Sequence, residues 1–257
     1  MPKISEVISF IENIYPKNTA DEGDNVGLML GNRERTVSHV LVSLNSDLSA
    51  VCEAANNGCE LIIAHHPIIY SPLNSITADD FKGRTLLKAA ENKIAIYAAH
   101  TNLDWGEGGV NDTLCSALGL QNTAALMPGQ NEAKVARIGY VENKTLGDFL
   151  EITKYLFKSG TKYVGDKKRP IKKVAVCGGG GGILMDEVIS QNCDLFISSD
   201  FRYHEAQKAY EEGLCLIDGG HFETENVVCE PLAKRLLQQF PDIKISIATS
   251  GQYFDYE

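Results

Sequence analysis

Short apolar runs that alternate with helical patterns restrict the fold of this sequence more than any other feature. The runs 60–64 and 94–99 have the length of strands, and the amphipathic segment 81–92 lies between them. Because a crossover helix connects parallel neighbours, this order predicts an α/β fold with substantial parallel pairing. Further strands are predicted at 37–44, 134–141, 173–177, 195–198, 214–217 and 244–248, and further helices at 4–15, 48–57, 111–118, 146–157, 183–191, 203–212 and 226–239.

The stretch 121–131 divides the sequence into two α/β parts. It contains Pro128-Gly129 and has little hydrophobic periodicity, which is typical of a linker. We therefore expect a first α/β domain formed by 1–125 with 222–257 and a second formed by 126–221, each with a mixed sheet flanked by helices. The 257 residues, 44% of them hydrophobic, are sufficient for such cores.

Charge and hydropathy argue against several classes of function. A formal net charge of -10 would repel a phosphate backbone, which argues against nucleic acid as a general partner. The sequence has neither a signal-peptide core nor an apolar segment near the roughly 20 residues of a membrane span, so we expect a cytoplasmic protein with no membrane contact. Its seven cysteines contain no Cys-x-x-Cys pair and suit free core thiols, with ligand or nucleophile roles as the alternative.

Two adjacent histidines, His65 and His66, follow the apolar run 60–64 and are stopped by Pro67. Neighbouring side chains in an extended strand point to opposite sides. At the carboxyl end of the strand, where the backbone turns, both imidazoles can instead face one site or two neighbouring metal ions. One of them could be a hydrogen-bonded core residue, but the pair favours a functional role.

The run 94–99 leads in the same way into His100 and, four residues later, Asp104. Open α/β sheets bind ligands at the carboxyl ends of their strands. Asp104 taken alone would more often be a turn or capping residue.

A third apolar run, 214–217, leads through a Gly-Gly turn to His221 and Glu225. The spacing of four places both side chains on one face if a helix begins early. The alternative has Thr224 as the helix cap and Glu225 interacting with the helix dipole. A histidine or a carboxylate follows each of three predicted strands. This recurrence favours a common functional site over coincidence.

Three imidazoles and two carboxylates are too many protein ligands for one open catalytic metal ion, and suit two divalent ions bridged by a carboxylate. With nitrogen and oxygen ligands and no thiolate, Zn, Fe, Mn, Co and Ni are all admissible. The predicted ligands are His65, His66, Asp104, His221 and Glu225.

The segment Gly178 to Gly182 follows the strand 173–177 and precedes a predicted helix. Exposed amides at a helix start can hold an anion, so Gly179 and Gly180 are candidate substrate contacts, and a tight turn with close packing is the alternative. After the next strand, Arg202 could hold an anionic group. His204 is the candidate proton-transfer residue, with core packing as the alternative.

Taken in order, these motifs resemble those of the NIF-three-like dinuclear metal-centre family, whose bacterial members are commonly labelled GTP cyclohydrolase I type 2 homologues. Three positions depart from the expected pattern, Asn45 in place of Asp, Gly23 in place of an aromatic residue and Ser199 in place of Gly, and none of them removes a ligand. The matching segments are 24–28, 62–67, 100–104, 109–112, 176–182, 203–206 and 220–225.

The resemblance implies two interlinked α/β domains, with a metal pair in the cleft between them and Glu225 as the bridging ligand. It also implies a toroidal homohexamer and a metal-dependent hydrolase that acts on a nucleotide or a related small heterocycle. A non-enzymatic metal-handling or interaction scaffold is the main alternative, and a dinuclear phosphoesterase is a third.

Overall fold

A computed structural model of the protein describes residues 1–126, 136–158 and 160–254. The described chain divides into two compact units. The first unit consists of Met1–Glu107 and Cys229–Tyr253, and the second of Gly108–Val228 together with Phe254.

The first unit is a five-stranded mixed sheet with helices. Its elements are α1 (Ile4–Ile14), β1 (Gly27–Leu30), β2 (His39–Ser43), α2 (Leu48–Asn57), β3 (Leu61–Ala64), α3 (Phe81–Glu91), β4 (Ala95–Ala98), α4 (Thr101–Trp105), α10 (Cys229–Gln239) and β11 (Lys244–Ile247). The strand order is β1-β4-β3-β2-β11, in which β4, β3, β2 and β11 are parallel and β1 is antiparallel to β4.

Alternate residues of these strands are buried on the two faces of the sheet. Leu41, Ile62 and Ile96 pack in one cluster with Val51 of α2 and Leu86 of α3. β2, β3 and β4 are covered on both faces, so their sequences are continuous apolar runs, as is typical of parallel sheets. This parallel arrangement brings the carboxyl ends of β2, β3 and β4 to the same edge.

The second unit is a six-stranded mixed sheet with helices. Its elements are α5 (Val110–Ala117), β5 (Gln121–Ala125), β6 (Arg137–Thr145), α6 (Leu146–Phe157), β7 (Lys162–Val164), β8 (Pro170–Gly180), α7 (Met185–Ser190), β9 (Leu195–Ser199), α8 (Tyr203–Glu211), β10 (Cys215–Asp218) and α9 (His221–Asn226). The strand order is β5-β6-β8-β9-β10-β7, with β8, β9 and β10 parallel to one another.

Helices cover both faces of the second sheet. One cluster contains Leu114 of α5 and Phe149 of α6, and the other contains Val188 of α7 and Ala209 of α8. The expected α/β fold with mixed sheets flanked by helices is therefore confirmed. The carboxyl ends of β8, β9 and β10 also meet at one edge, because these strands are parallel.

The unit boundaries differ from those expected, since the first unit ends at Glu107 and the second reaches Val228. The stretch Gln121–Ala125, predicted as part of a linker, is strand β5 and pairs with β6. Helix α5 contacts β8, which places it in the second unit as well. Residues 127–131 of the predicted linker lie outside the described residues.

In the described ranges, no helix is both long and apolar enough to span a membrane. Six of the seven cysteines are buried, Cys52 is partly buried, and all seven are free thiols. Burial raises the pKa of the Cys59, Cys115 and Cys193 thiols to about 11, about 12 and about 11. A raised thiol pKa disfavours the nucleophilic thiolate, which agrees with core packing for these cysteines.

Candidate metal centre

Three histidines of the first unit cluster at the carboxyl edge of its sheet. His65 and His66 follow β3, and His100 follows the adjacent strand β4. Their ring centroids are separated by 4.9 Å (His65 to His66), 5.0 Å (His65 to His100) and 5.7 Å (His66 to His100). One ligand nitrogen from each ring lies within 4.8 Å of those of the other two. Parallel register thus assembles residues up to 35 positions apart into one nitrogen-rich cluster.

Each of these rings has its Nδ1 at hydrogen-bonding distance from an oxygen atom. Nδ1 of His65 lies 3.0 Å from the Ala99 carbonyl oxygen, and Nδ1 of His66 lies 2.7 Å from Oδ1 of Asn45. A carbonyl oxygen can only accept, so Nδ1 carries a proton, and the neutral form of each ring then has its lone pair on Nε2. This is the tautomer that binds a metal ion through Nε2, with the second hydrogen bond fixing the ring orientation.

The third ring, His100, is held by a carboxylate. Its Nδ1 lies 2.9 Å from Oδ1 of Asp24, whose Oδ2 accepts hydrogen bonds from the Thr101 amide and hydroxyl. Burial would raise the pKa of the Asp24 carboxyl, but the hydrogen bonds from His100 and Thr101 outweigh it and lower that pKa to about 2. Asp24 is therefore ionised at neutral pH and fixes the ring of His100.

Asp104 lies on α4, one helical turn after His100, and is buried. Its Oδ1 is 3.7 Å from Nε2 of His65. The structure therefore brings the predicted ligands His65, His66 and Asp104 together and adds His100, which was not predicted as a ligand. Its position directly after an apolar strand was the available signal.

In the second unit, His221 and Glu225 lie on α9, which begins at His221. The predicted spacing on one helical face is confirmed, since Nε2 of His221 lies 3.2 Å from Oε2 of Glu225. Nδ1 of His221 lies 2.6 Å from Oδ2 of Asp200, which follows β9. Hydrogen bonding to Glu225 raises the pKa of the His221 ring to about 9, with a contribution from Asp200 and against the effect of burial. Two carboxylates at one ring favour a positive charge there.

The predicted glycine segment packs against these second-unit ligands. The Gly178 amide donates to Oδ1 of Asn111, and the Gly179 amide donates to Oγ1 of Thr224. Gly179 has φ +66, and a Cβ placed on it would lie 2.2 Å from Oε1 of Glu225. Close packing against Glu225 therefore requires glycine at 179. Gly180 ends β8 and is exposed.

The two remaining candidates, Arg202 and His204, lie at the start of α8 and are exposed. The Arg202 amide donates to Oε2 of Glu205, and the ring of His204 packs edge-on against Tyr203. Core packing is thus excluded for His204. The described metal-ligand clusters do not include His204.

The donors in each unit fit a transition-metal ion. Imidazole nitrogen and carboxylate oxygen are suitable ligands for Zn, Fe, Mn, Co and Ni, whereas Ca and Mg prefer oxygen alone. In the first unit the hydrogen bonds at Nδ1 make Nε2 the nitrogen through which each of the three rings would bind a metal ion. In the second unit, a carboxylate oxygen and a ring nitrogen already lie 3.2 Å apart.

The fold and the chemistry of the ligand atoms together define a class of protein. It is a mixed α/β protein whose histidine and carboxylate side chains, at the carboxyl ends of parallel strands, can bind a metal ion. The chain belongs to the Duf34/NIF3 (NGG1p interacting factor 3) family, whose model matches residues 2–253. The family resemblance of the sequence is thereby confirmed.

Similarities to curated proteins and to a solved structure support the same family. The chain is 33% identical to a GTP cyclohydrolase 1 type 2 homolog of Clostridium acetobutylicum, with 91% of this chain and 89% of the relative covered. It is 36% identical to the protein of the same name from Clostridium perfringens, with 87% of each covered. A Bacillus cereus protein related to NIF3 has a similar structure, with a TM-score of 0.93, 28% identity and coverage of 100% of this chain and 99% of that one.

Proposed function

We propose that this protein binds two divalent transition-metal ions and is a metal-dependent hydrolase. The proposed ligands are His65, His66, Asp104, His221 and Glu225. Zn, Fe, Mn, Co and Ni all suit these nitrogen and oxygen ligands.

The observation that carries the metal proposal is the orientation of the imidazoles. Nδ1 of His65, His66 and His221 each faces an oxygen acceptor, at 3.0, 2.7 and 2.6 Å. Such outer hydrogen bonds accompany metal-binding histidines and raise their basicity as ligands. The other ring nitrogen stands near a carboxylate oxygen in two of these rings, since Nε2 of His65 lies 3.7 Å from Oδ1 of Asp104 and Nε2 of His221 lies 3.2 Å from Oε2 of Glu225.

The hydrolytic part of the proposal rests on the chemistry of the ions and on exposed groups of the second unit. Divalent ions supply Lewis acidity and lower the pKa of water towards neutrality. Arg202 is an exposed cation two residues after Asp200, which contacts His221, so it is suited to hold an anionic group of a substrate. We propose His204 as the group that transfers protons and the backbone at the exposed Gly180 as a further substrate contact, whereas the Gly179 amide is buried and bonded to Thr224.

The proposed substrate is a nucleotide or a related small heterocycle. Support comes from the relatives that are named GTP cyclohydrolase 1 type 2 homologs. A homohexameric ring is also part of this proposal, and it rests on the family resemblance. A light-scattering mass near 28.1 kDa, the mass of one chain, would argue against any oligomer.

Metal analysis combined with a turnover screen tests the proposal. Protein purified without chelator is expected to hold two transition-metal ions per chain, and the variants His65→Ala and Glu225→Ala are expected to hold fewer. His204→Ala is the matched control for metal content, because that ring is exposed and outside the described clusters.

The same metal-loaded protein is then offered nucleotides, phosphoesters and pterin-like compounds. Turnover that is lost in Asp104→Ala and His221→Ala, while the circular dichroism spectrum is kept, supports the hydrolase. Ring-opened product and released phosphate distinguish a cyclohydrolase from a phosphoesterase. Metal-loaded protein that converts none of these compounds favours a metal-handling scaffold.

A further inference from the structure

We propose that residues 248–253, which follow β11, form a strap that sets the tautomer of His66 through Asn45. Opening the strap releases the Asn45 amide, and His66 then loses the tautomer that binds a metal ion through Nε2. The inference rests on the proposed metal-binding function and adds to it a segment that positions one of the ligands.

Two carboxylates at the start of α2 anchor the strap. Glu53 accepts hydrogen bonds from the amide and hydroxyl of Thr249, at 3.1 and 3.2 Å, and from the hydroxyl of Ser250 at 3.2 Å. Asp47 accepts a hydrogen bond from the hydroxyl of Tyr253. Every residue of the strap is exposed or partly buried, so it opens at a lower free energy than the buried strands of the sheet.

Between these two anchors the strap contacts Asn45, the residue that faces His66. The Gly251 carbonyl accepts from Nδ2 of Asn45 at 2.9 Å, while Oδ1 of Asn45 lies 2.7 Å from Nδ1 of His66. Gly251 has φ +113, a backbone conformation that favours glycine. Because a carbonyl oxygen can only accept, it holds the donor side of the Asn45 amide towards the strap and the acceptor side towards the ring.

The backbone of His66 is fixed by contacts outside the strap. Its amide donates to the Leu44 carbonyl at 2.8 Å, and its carbonyl accepts from the Ser46 hydroxyl at 2.7 Å. Opening the strap therefore leaves the residue in place and frees the Asn45 amide to reverse. A reversed amide presents a donor to Nδ1, which requires the tautomer protonated at Nε2 and removes the lone pair from that nitrogen.

The ¹⁵N chemical shifts of His66 in the metal-free protein, at about pH 8.5 where histidine is ordinarily neutral, test the inference. The double variant Glu53→Ala with Tyr253→Phe removes both anchors. It should speed hydrogen exchange of the strap amides and move the His66 shifts from those of the Nδ1-protonated tautomer to intermediate values. The matched control Glu91→Ala with Tyr155→Phe removes a carboxylate and a hydroxyl at exposed helix positions and should change neither.

Titration with Co²⁺ against a competing chelator measures the effect on metal binding. An even mixture of tautomers halves the binding-competent fraction and raises the apparent Kd about twofold, and a loosened ring should bring the loss to about tenfold. In an Asn45→Asp background the same two anchor changes should leave the affinity unchanged. Either oxygen of a carboxylate accepts from Nδ1, so His66 no longer depends on the strap.

The outcomes separate the inference from the proposed function. Faster exchange of the strap amides with unchanged His66 shifts overturns the inference and leaves the proposed function intact. Exchange at the wild-type rate, or an equal loss of affinity in the Asn45→Asp background, also overturns it. Wild-type protein that binds no Co²⁺ removes the proposed function, and a shift of the His66 tautomer in the double variant would still support the strap.

Discussion

Oδ1 of Asn45 lies 2.7 Å from Nδ1 of His66, and this contact decides which nitrogen of His66 can bind a metal ion. The Asn45 amide nitrogen donates to the Gly251 carbonyl at 2.9 Å, so the amide oxygen must face the ring. His66 therefore donates from Nδ1, and Nε2 is the nitrogen through which it would bind a metal ion. The first unit uses a neutral amide here, where a carboxylate was expected from the family pattern.

Replacing Asn45 with Ala is expected to weaken metal binding by about 10–100-fold, because His66 loses the hydrogen bond that fixes its tautomer and orientation. Chelator competition measures the affinity, and ¹⁵N chemical shifts of the metal-free protein report the tautomer of His66. Asn13→Ala, at an exposed position of α1, is the control. Unchanged affinity and unchanged ring shifts would show that Asn45 does not position His66.

Removing the metal ions should lower the thermal stability of the protein. A ligand that binds only the folded state stabilises it by about 4 kcal/mol when its free concentration is a thousandfold above Kd. We therefore expect chelation by EDTA to lower Tm in the wild type, and restored Zn²⁺ or Co²⁺ to raise it again. A variant with His65, Asp104 and Glu225 all changed to Ala should show no such response. An equal response in that variant would contradict the ligand assignment.

Gly179→Ala is expected to destabilise the second unit and displace Glu225. The residue has φ +66, and the added Cβ would lie 2.2 Å from Oε1 of Glu225. Gly119→Ala is a matched control in the same unit, since its φ is +73 and no atom lies within 4 Å of the added Cβ. The control measures only the loss of stability that comes from placing alanine at a positive φ, about 1 kcal/mol.

Urea unfolding and metal analysis of the two variants separate the effects. Gly179→Ala should lose clearly more stability than Gly119→Ala and also hold less metal. If both variants lost the same stability and kept their full metal content, the close packing of Gly179 against Glu225 would contribute to neither stability nor metal binding.

Glu60→Gln should reduce stability at neutral pH and have little effect in acid. Glu60 accepts hydrogen bonds from the Ser38 amide and hydroxyl and from the His39 amide, and so ties the start of β3 to that of β2. Burial would raise the pKa of the Glu60 carboxyl, but these hydrogen bonds lower it below its usual 4.5. A carboxylate with a lowered pKa stabilises the folded state above pH 4.5, and this contribution disappears as the pH falls through the folded pKa.

The stability difference between wild type and Glu60→Gln is therefore expected to be about 1 kcal/mol at pH 7 and to shrink below pH 4.5. Urea unfolding at both pH values measures it. Glu91→Gln, at the exposed end of α3, should show no difference at either pH. A difference for Glu60→Gln that stayed constant into acid would exclude the ionised carboxylate as its cause.

The sequence predicted the elements that have strong apolar periodicity and missed the short or polar ones. Strands β3 and β4 are buried on both faces, so their apolar runs identify them. Strand β5 (Gln121–Ala125) is largely exposed and was predicted as part of a linker, because its formation depends on pairing with β6. Strand β7 (Lys162–Val164) has only three residues and pairs antiparallel with β10. Such pairing is non-local and has no signal in a single sequence.

The sequence by itself determined which side chains stand at strand ends, since an apolar run followed by a histidine is a local pattern. His65, His66 and the spacing of His221 and Glu225 were visible for this reason. Only the tertiary structure decided which partners orient them, because Asn45 is 21 residues from His66 and Asp24 is 76 residues from His100. Parallel register brings strand ends together, and the hydrogen bonds that fix each ring form only there.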